Sequence, residues 1–191
     1  MKALITWGGW DGHEPDLVAK QFSEMLTRNG VDVDLFDTLD CFDDPDELDE
    51  YDLIVPVWTM SELTKERAKN VSYAVSRGTG LAGCHGGMCD AFRSNVLWQF
   101  MTGANWVAHP GGDGVTYTVN ITDASHDLVA GIPSFEVTSE QYYLHTDPSN
   151  HVLATTRFPT VDWYHTPNGA VEMPVAWTRF WGLGRVYYNA L

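Results

Sequence analysis

A chain of 191 residues with 44% hydrophobic and 19% charged residues has ordinary globular usage, which excludes a disordered chain and suits one compact domain over 1–191. The net charge of −15, with only 11 scattered Lys and Arg, argues against nucleic acid as a partner, because phosphate binding needs clustered cations. No apolar run approaches the roughly 20 residues of a bilayer span, and MKALITW is too short for a signal peptide, so a cytoplasmic protein without a membrane partner is expected.

KALITW (2–7) is a short apolar run and reads as a buried strand. PDLVAKQFSEMLTRNG (15–30) sets Val18, Phe22 and Met25 on one helical face, with Pro15 in the first turn and Gly30 just past the end. VDVDLF (31–36) alternates as an outer strand would, and the acidic stretch at 34–52 reads as a solvated loop with a short exposed helix. YDLIVPVW (51–58) is a further buried strand, and TKERAKNVSYAVSRG (64–78) an amphipathic helix closed by Gly78. TGLAGC (79–84) is a buried strand, and MCDAFRSNVLWQFMTG (88–103) the helix after it. In the second half GVTYTVNIT (114–122), FEVTSEQYYLH (135–145), HVLATTRF (151–158), EMPVAWTRF (172–180) and GRVYYNAL (184–191) read mostly as strands. The pattern predicts an α/β fold with a parallel core sheet and an antiparallel extension.

In such sheets ligands bind beyond the carboxyl ends of the strands. The loops GGWDGHEP (8–15), WTMSEL (58–63) and CHGGM (84–88) should therefore meet. LAGCHGGMCDAF (81–92) has the form of a strand-to-helix elbow, whose tip needs glycine two positions before and two after it. Centred on His85 the frame has Gly83 and Gly87; centred on Cys84 it has Ala82 and Gly86. The spacing selects His85. Cys84 and Cys89 then serve as small apolar fillers, and with Cys41 they show neither disulfide nor zinc-ribbon spacing. At the start of a helix a positive charge is disfavoured, so a neutral imidazole is expected at the tip, able to act as base, donor or metal ligand.

Taken together, WGGWDGHEP, DLIVPVWTM, GLAGCHGGMCDAFR, VAHPGG, SEQYYLHTDPSN, VLATT and MPVAWTRFWGLGRVYY resemble the ThuA-like (trehalose utilisation) family, part of the class I glutamine amidotransferase-like superfamily. The resemblance runs in order through nearly the whole chain and implies a flavodoxin-like three-layer α/β sandwich. Glutamine amidotransferases carry cysteine at the elbow tip; with His85 there, glutaminase and thiol chemistry are not carried over. What the resemblance does imply is a carbohydrate ligand, a keto-sugar or trehalose-type disaccharide derivative.

The remaining candidates surround the tip. In SEQYYLH, Glu140 and Tyr142 would share a strand face with His145 at its end. Glu140 could orient His85, act as general base or bind a metal; an exposed strand carboxylate is the bland alternative. His13 follows the first strand on the same edge. His109, in VAHPGG, could close over the pocket or only brace its loop, while His126 reads as a helix start. Trp10, Trp58 and Tyr142 are candidate sugar platforms, Thr59 could grip a polar ligand, and Arg93 could hold a carboxylate or form a surface ion pair. His13, His85 and His145, with Glu140, could converge on a zinc-like divalent metal, although no short metal-binding spacing is present. The expectation is an isomerase- or hydrolase-type acid–base enzyme acting on a small carbohydrate. A non-catalytic sugar-binding or scaffolding protein is the alternative, and the aromatic-rich second half would permit a homodimer that completes the site.

Overall fold

Continuous apolar runs suit central parallel strands, because helices cover both sheet faces. The computed structural model describes residues 1–191. β1 (Lys2–Gly9), β2 (Asp32–Phe36), β3 (Leu53–Thr59) and β4 (Gly80–Cys84) run parallel, in the order β2-β1-β3-β4. β5 (Ala104–Ala108) and β8 (Tyr143–Thr146) form a separate antiparallel pair. β6 (Val115–Ile121), β7 (Phe135–Ser139), β9 (His151–Phe158), β10 (Val171–Trp181) and β11 (Gly184–Asn189) extend the main sheet as β11-β10-β9-β6-β7, with β11 parallel to β4 and the later pairings antiparallel.

Alternation along the central strands separates the two faces. Ile5, Val55 and Val57 pack against Ala19 of α1 (Pro15–Arg28). Leu4, Ile54 and Leu81 belong to the larger core on the opposite face, with Val71 and Val75 of α3 (Lys65–Arg77) and Trp98 of α5 (Val96–Thr102). The result is a flavodoxin-like α/β architecture with a parallel core and an antiparallel extension. No helix is long and apolar enough to cross a membrane.

Four local expectations need correction. The acidic 34–52 segment is not wholly solvated: around α2 (Pro45–Leu48), Leu39, Phe42, Leu48 and Tyr51 are buried, while Arg67 binds Asp40 and Asp43. The helix read over 88–103 is broken into α4 (Gly86–Cys89) and α5. Carbonyls that would continue it are spent elsewhere, since Asp90 accepts from the Met60 amide at 2.9 Å and Ala91 from Ser61 at 2.8 Å. Asn95 then restarts the helix by accepting from the Trp98 amide at 3.0 Å.

The run 135–145 is likewise not one strand. Gln141 is fully buried, donates to Thr156 Oγ1 at 3.0 Å and to the Arg157 carbonyl at 3.1 Å, and accepts from the Thr160 amide at 2.9 Å. That anchor parts β7 from β8 and leaves Glu140 and Tyr142 in the crossing between them. Finally, residues 104–108 form β5, a strand not read from the sequence, and His126 lies in a turn rather than at a helix start.

Candidate active site

Loops after β1, β3 and β4 meet at the carboxyl edge of the sheet, where the chain order reverses between β1 and β3. The chain's three non-glycine residues with positive φ, namely Glu14, Met60 and His85, all lie in these loops. Such backbone costs on the order of 1–3 kcal/mol per residue and persists only where its surroundings over-determine it.

His85 stands at the elbow tip with φ 50 and ψ −133. Its amide donates to the Asn189 carbonyl at 2.8 Å, and its own carbonyl accepts from the Tyr188 hydroxyl at 2.7 Å. The glycine frame is a steric requirement: a Cβ on Gly83 would lie 2.7 Å from Met88 Cβ, and one on Gly87 would lie 3.0 Å from the Pro56 carbonyl. Cys84 faces the α1 side, among Phe22, Met25 and Leu26, and burial pushes its thiol up to about 11. That cysteine is a filler.

Both ring nitrogens of His85 are engaged. Nδ1 lies 3.3 Å from the Ala190 carbonyl, which can only accept, so Nδ1 carries the proton. Nε2 faces Glu140 Oε2 at 3.2 Å. Without a positive charge between them both atoms are acceptors, so the contact is attractive only with a shared proton or cation. Tyr142 stacks on the imidazole, with ring centroids 4.7 Å apart and planes 25° from parallel. Burial, followed by the Glu140 and Asp90 carboxylates, pushes the Tyr142 phenol far above its ordinary value, so it remains an O–H donor.

His13 arrives from the short turn at Asp11–His13 and sits edge-on to His85, with centroids 4.8 Å apart. Its Nδ1 is 3.1 Å from Thr59 Oγ1. Gly86 permits this approach, because a Cβ there would lie 3.0 Å from His13 Cε1 and 2.8 Å from Thr59 Oγ1. Burial first, and the neighbouring His85 second, lower the His13 pKa. As pH falls the unfolded chain therefore takes this proton before the folded one does. The stability His13 contributes is fully present above its unfolded value near 6.5 and is lost as pH falls through the lower folded value. Imidazole carbon shifts followed by NMR with a chelator present should give a His13 midpoint below 6.5; a midpoint at or above it would contradict this burial.

The other expected residues divide. His109 reaches the site: its Nδ1 is 3.7 Å from Glu140 Oε1 and is buried without a hydrogen-bond partner. Trp10, 49% exposed, stands edge-on to His13 at 4.8 Å, with its ring also packed over Gly12. Trp58 is spent against Gly8, where a Cβ would lie 2.8 Å from its ring. Arg93 is paired with the buried Asp90 and lies 4.2 Å over the Trp106 ring, which is nearer to the ion-pair reading. His145 does not join the cluster, as corrected by its strand: it is exposed, on the face of β8 shared with Tyr143, which packs against Phe158 and His165.

The cleft beside these groups has a volume of about 270 Å³, and its lining includes His13, Thr59, Cys84, His85, Ser139 and Leu191. Sequence reasoning missed Asp90, Trp106 and the Ala190 carbonyl. Trp106 stands three residues before His109, but nothing in the spacing marks it as the ring under Arg93.

Across residues 2–191 the chain matches the family model described as ThuA, trehalose utilisation. A ThuA-like protein from Bacteroides uniformis has the same fold, with TM-score 0.78 and 17% identity over 100% of this chain and 81% of that one. A cytoplasmic protein from Salmonella typhimurium aligns with TM-score 0.69 and 14% identity over 99% and 87% of the two chains. A β-galactosidase from Rahnella sp. R3 matches with TM-score 0.66 and 18% identity over 99% of this chain and 28% of its own. No curated protein matches the chain in sequence.

Proposed function

The chain belongs to the ThuA family, and on that premise we propose that it is an enzyme acting on a carbohydrate, of the keto-sugar or trehalose-type disaccharide class, by moving a proton next to a carbonyl. The observation that carries this reading is the His85 Nε2 to Glu140 Oε2 contact of 3.2 Å at a strained elbow facing an open cleft. A positioned imidazole–carboxylate pair is the usual means of abstracting and returning a proton beside a carbonyl. In this reading His85 and Glu140 are the transfer pair. His13 lies within contact of the His85 ring as an assisting group, and the Tyr142 hydroxyl and Thr59 are donors for substrate oxygens. Trp10 supplies the aromatic surface on which a sugar ring packs.

The test uses the native chain with a panel of keto-disaccharides and their parent sugars in D₂O, followed by proton NMR. Loss of signal at the carbon beside the carbonyl is the expected result. Saturable binding without exchange would replace the enzyme reading with a carbohydrate-binding one. Neither binding nor exchange across the panel would remove the sugar class.

A further inference from the structure

We propose that His13, His85 and Glu140 hold one divalent cation of the zinc class at the elbow. The inference rests on the same side chains as the reading above but not on its substrate. Their donor atoms, two imidazole nitrogens and one carboxylate oxygen, all lie within 4.8 Å of one another. For ligands about 2.1 Å from a tetrahedral ion, neighbouring donors stand about 3.4 Å apart. The His85 Nε2 to Glu140 Oε2 distance of 3.2 Å already meets that spacing, and closing the third donor onto the pair is a side-chain adjustment.

A metal-binding imidazole has its second nitrogen held by an outer partner, which fixes the ring and aims the other lone pair. Both histidines meet that requirement here: Ala190 holds Nδ1 of His85 at 3.3 Å, and Thr59 Oγ1 holds Nδ1 of His13 at 3.1 Å. Beside Glu140 stands His109, whose buried Nδ1 has no hydrogen-bond partner and lies 3.7 Å from the second carboxylate oxygen. The opposed acceptors on His85 and Glu140 need a positive charge between them, and a cation meets that need for all three donors at once. Two imidazoles with one carboxylate suit zinc or a neighbouring transition ion better than magnesium or calcium, which prefer all-oxygen sites. The cleft leaves an open side for a substrate oxygen, and a cation there supplies the Lewis acid that polarises a carbonyl. The set is the one expected from the sequence less the exposed His145, which lies outside the cluster.

The test is a titration of chelator-stripped full-length protein with Zn²⁺ by calorimetry and with Co²⁺ by visible absorption. One equivalent per chain is expected, with intense Co²⁺ bands of a four- or five-coordinate site. His13→Ala and Glu140→Gln should each weaken binding by at least about 100-fold with unchanged circular dichroism, whereas His145→Ala and His126→Ala should leave it unchanged. Absence of stoichiometric binding overturns the site, as does binding that survives Glu140→Gln and is lost in His145→Ala or His126→Ala. Full turnover by stripped protein that binds no ion would remove the cation and leave the proton-transfer reading standing. Stoichiometric binding without turnover of any sugar would do the reverse.

Discussion

His85→Ala and Glu140→Gln should each lower kcat/KM on the keto-sugar that exchanges by about 10²–10⁴-fold, and the double variant should lose no more than the worse single variant. The reason is that neither group acts alone. His85 Nδ1 is committed to a carbonyl, so the reactive nitrogen is Nε2, and its partner is Glu140 at 3.2 Å. Whatever positive charge they share, proton or cation, is lost when either half is removed. Alanine at 85 keeps a Cβ at φ 50, so the backbone cost of the elbow is unchanged and the loss is that of the imidazole. Glutamine at 140 keeps shape and hydrogen bonding but not charge. Steady-state kinetics of the two single variants and the double, with circular dichroism as a folding control, make the measurement. Losses that multiply in the double variant would mean two independent roles and would break the pair.

How far the sequence carried this reading depends on which interactions are local. The elbow was legible because its requirement is written within five residues: Gly83 and Gly87 flank His85, and both clash if given a Cβ. The parallel core was legible because β3 and β4 are continuous apolar runs bounded by helix signals. What failed was set by partners distant in sequence. The helix expected after the elbow breaks because Asp90 and Ala91 give their carbonyls to Met60 and Ser61. The strand expected through 140–142 breaks because the Gln141 side chain is captured by Thr156, Arg157 and Thr160. Glu140 and Tyr142 thus reach His85 for a reason other than strand alternation, and the same break turns His145 away. His109 was left open between pocket and brace, since only the fold sets its Nδ1 against Glu140.

Gly9→Ala should destabilise the protein by about 2–5 kcal/mol, lowering its thermal midpoint by about 5–15 °C, and should reduce activity in whatever remains folded. Gly9 ends β1 opposite Thr59 of β3, at φ +85. A side chain there carries the left-handed backbone cost of about 1–2 kcal/mol. It also drives a Cβ into the backbone of Thr59, whose amide nitrogen would lie 2.7 Å away. Backbone cannot rotate aside as a side chain can, so the strands must part. Two site contacts depend on that junction: the Trp10 amide donates to the Thr59 carbonyl at 3.2 Å, and His13 Nδ1 meets Thr59 Oγ1 at 3.1 Å. Gly30→Ala separates the two contributions, because Gly30 has φ +78 but nothing within 4 Å of its added Cβ. Its midpoint should fall by only a few degrees, the backbone cost alone at about 2–4 °C per kcal/mol. Equal losses in the two variants would mean that β1 and β3 do not approach closely at Gly9, and the placement of His13 against His85 would lose its support.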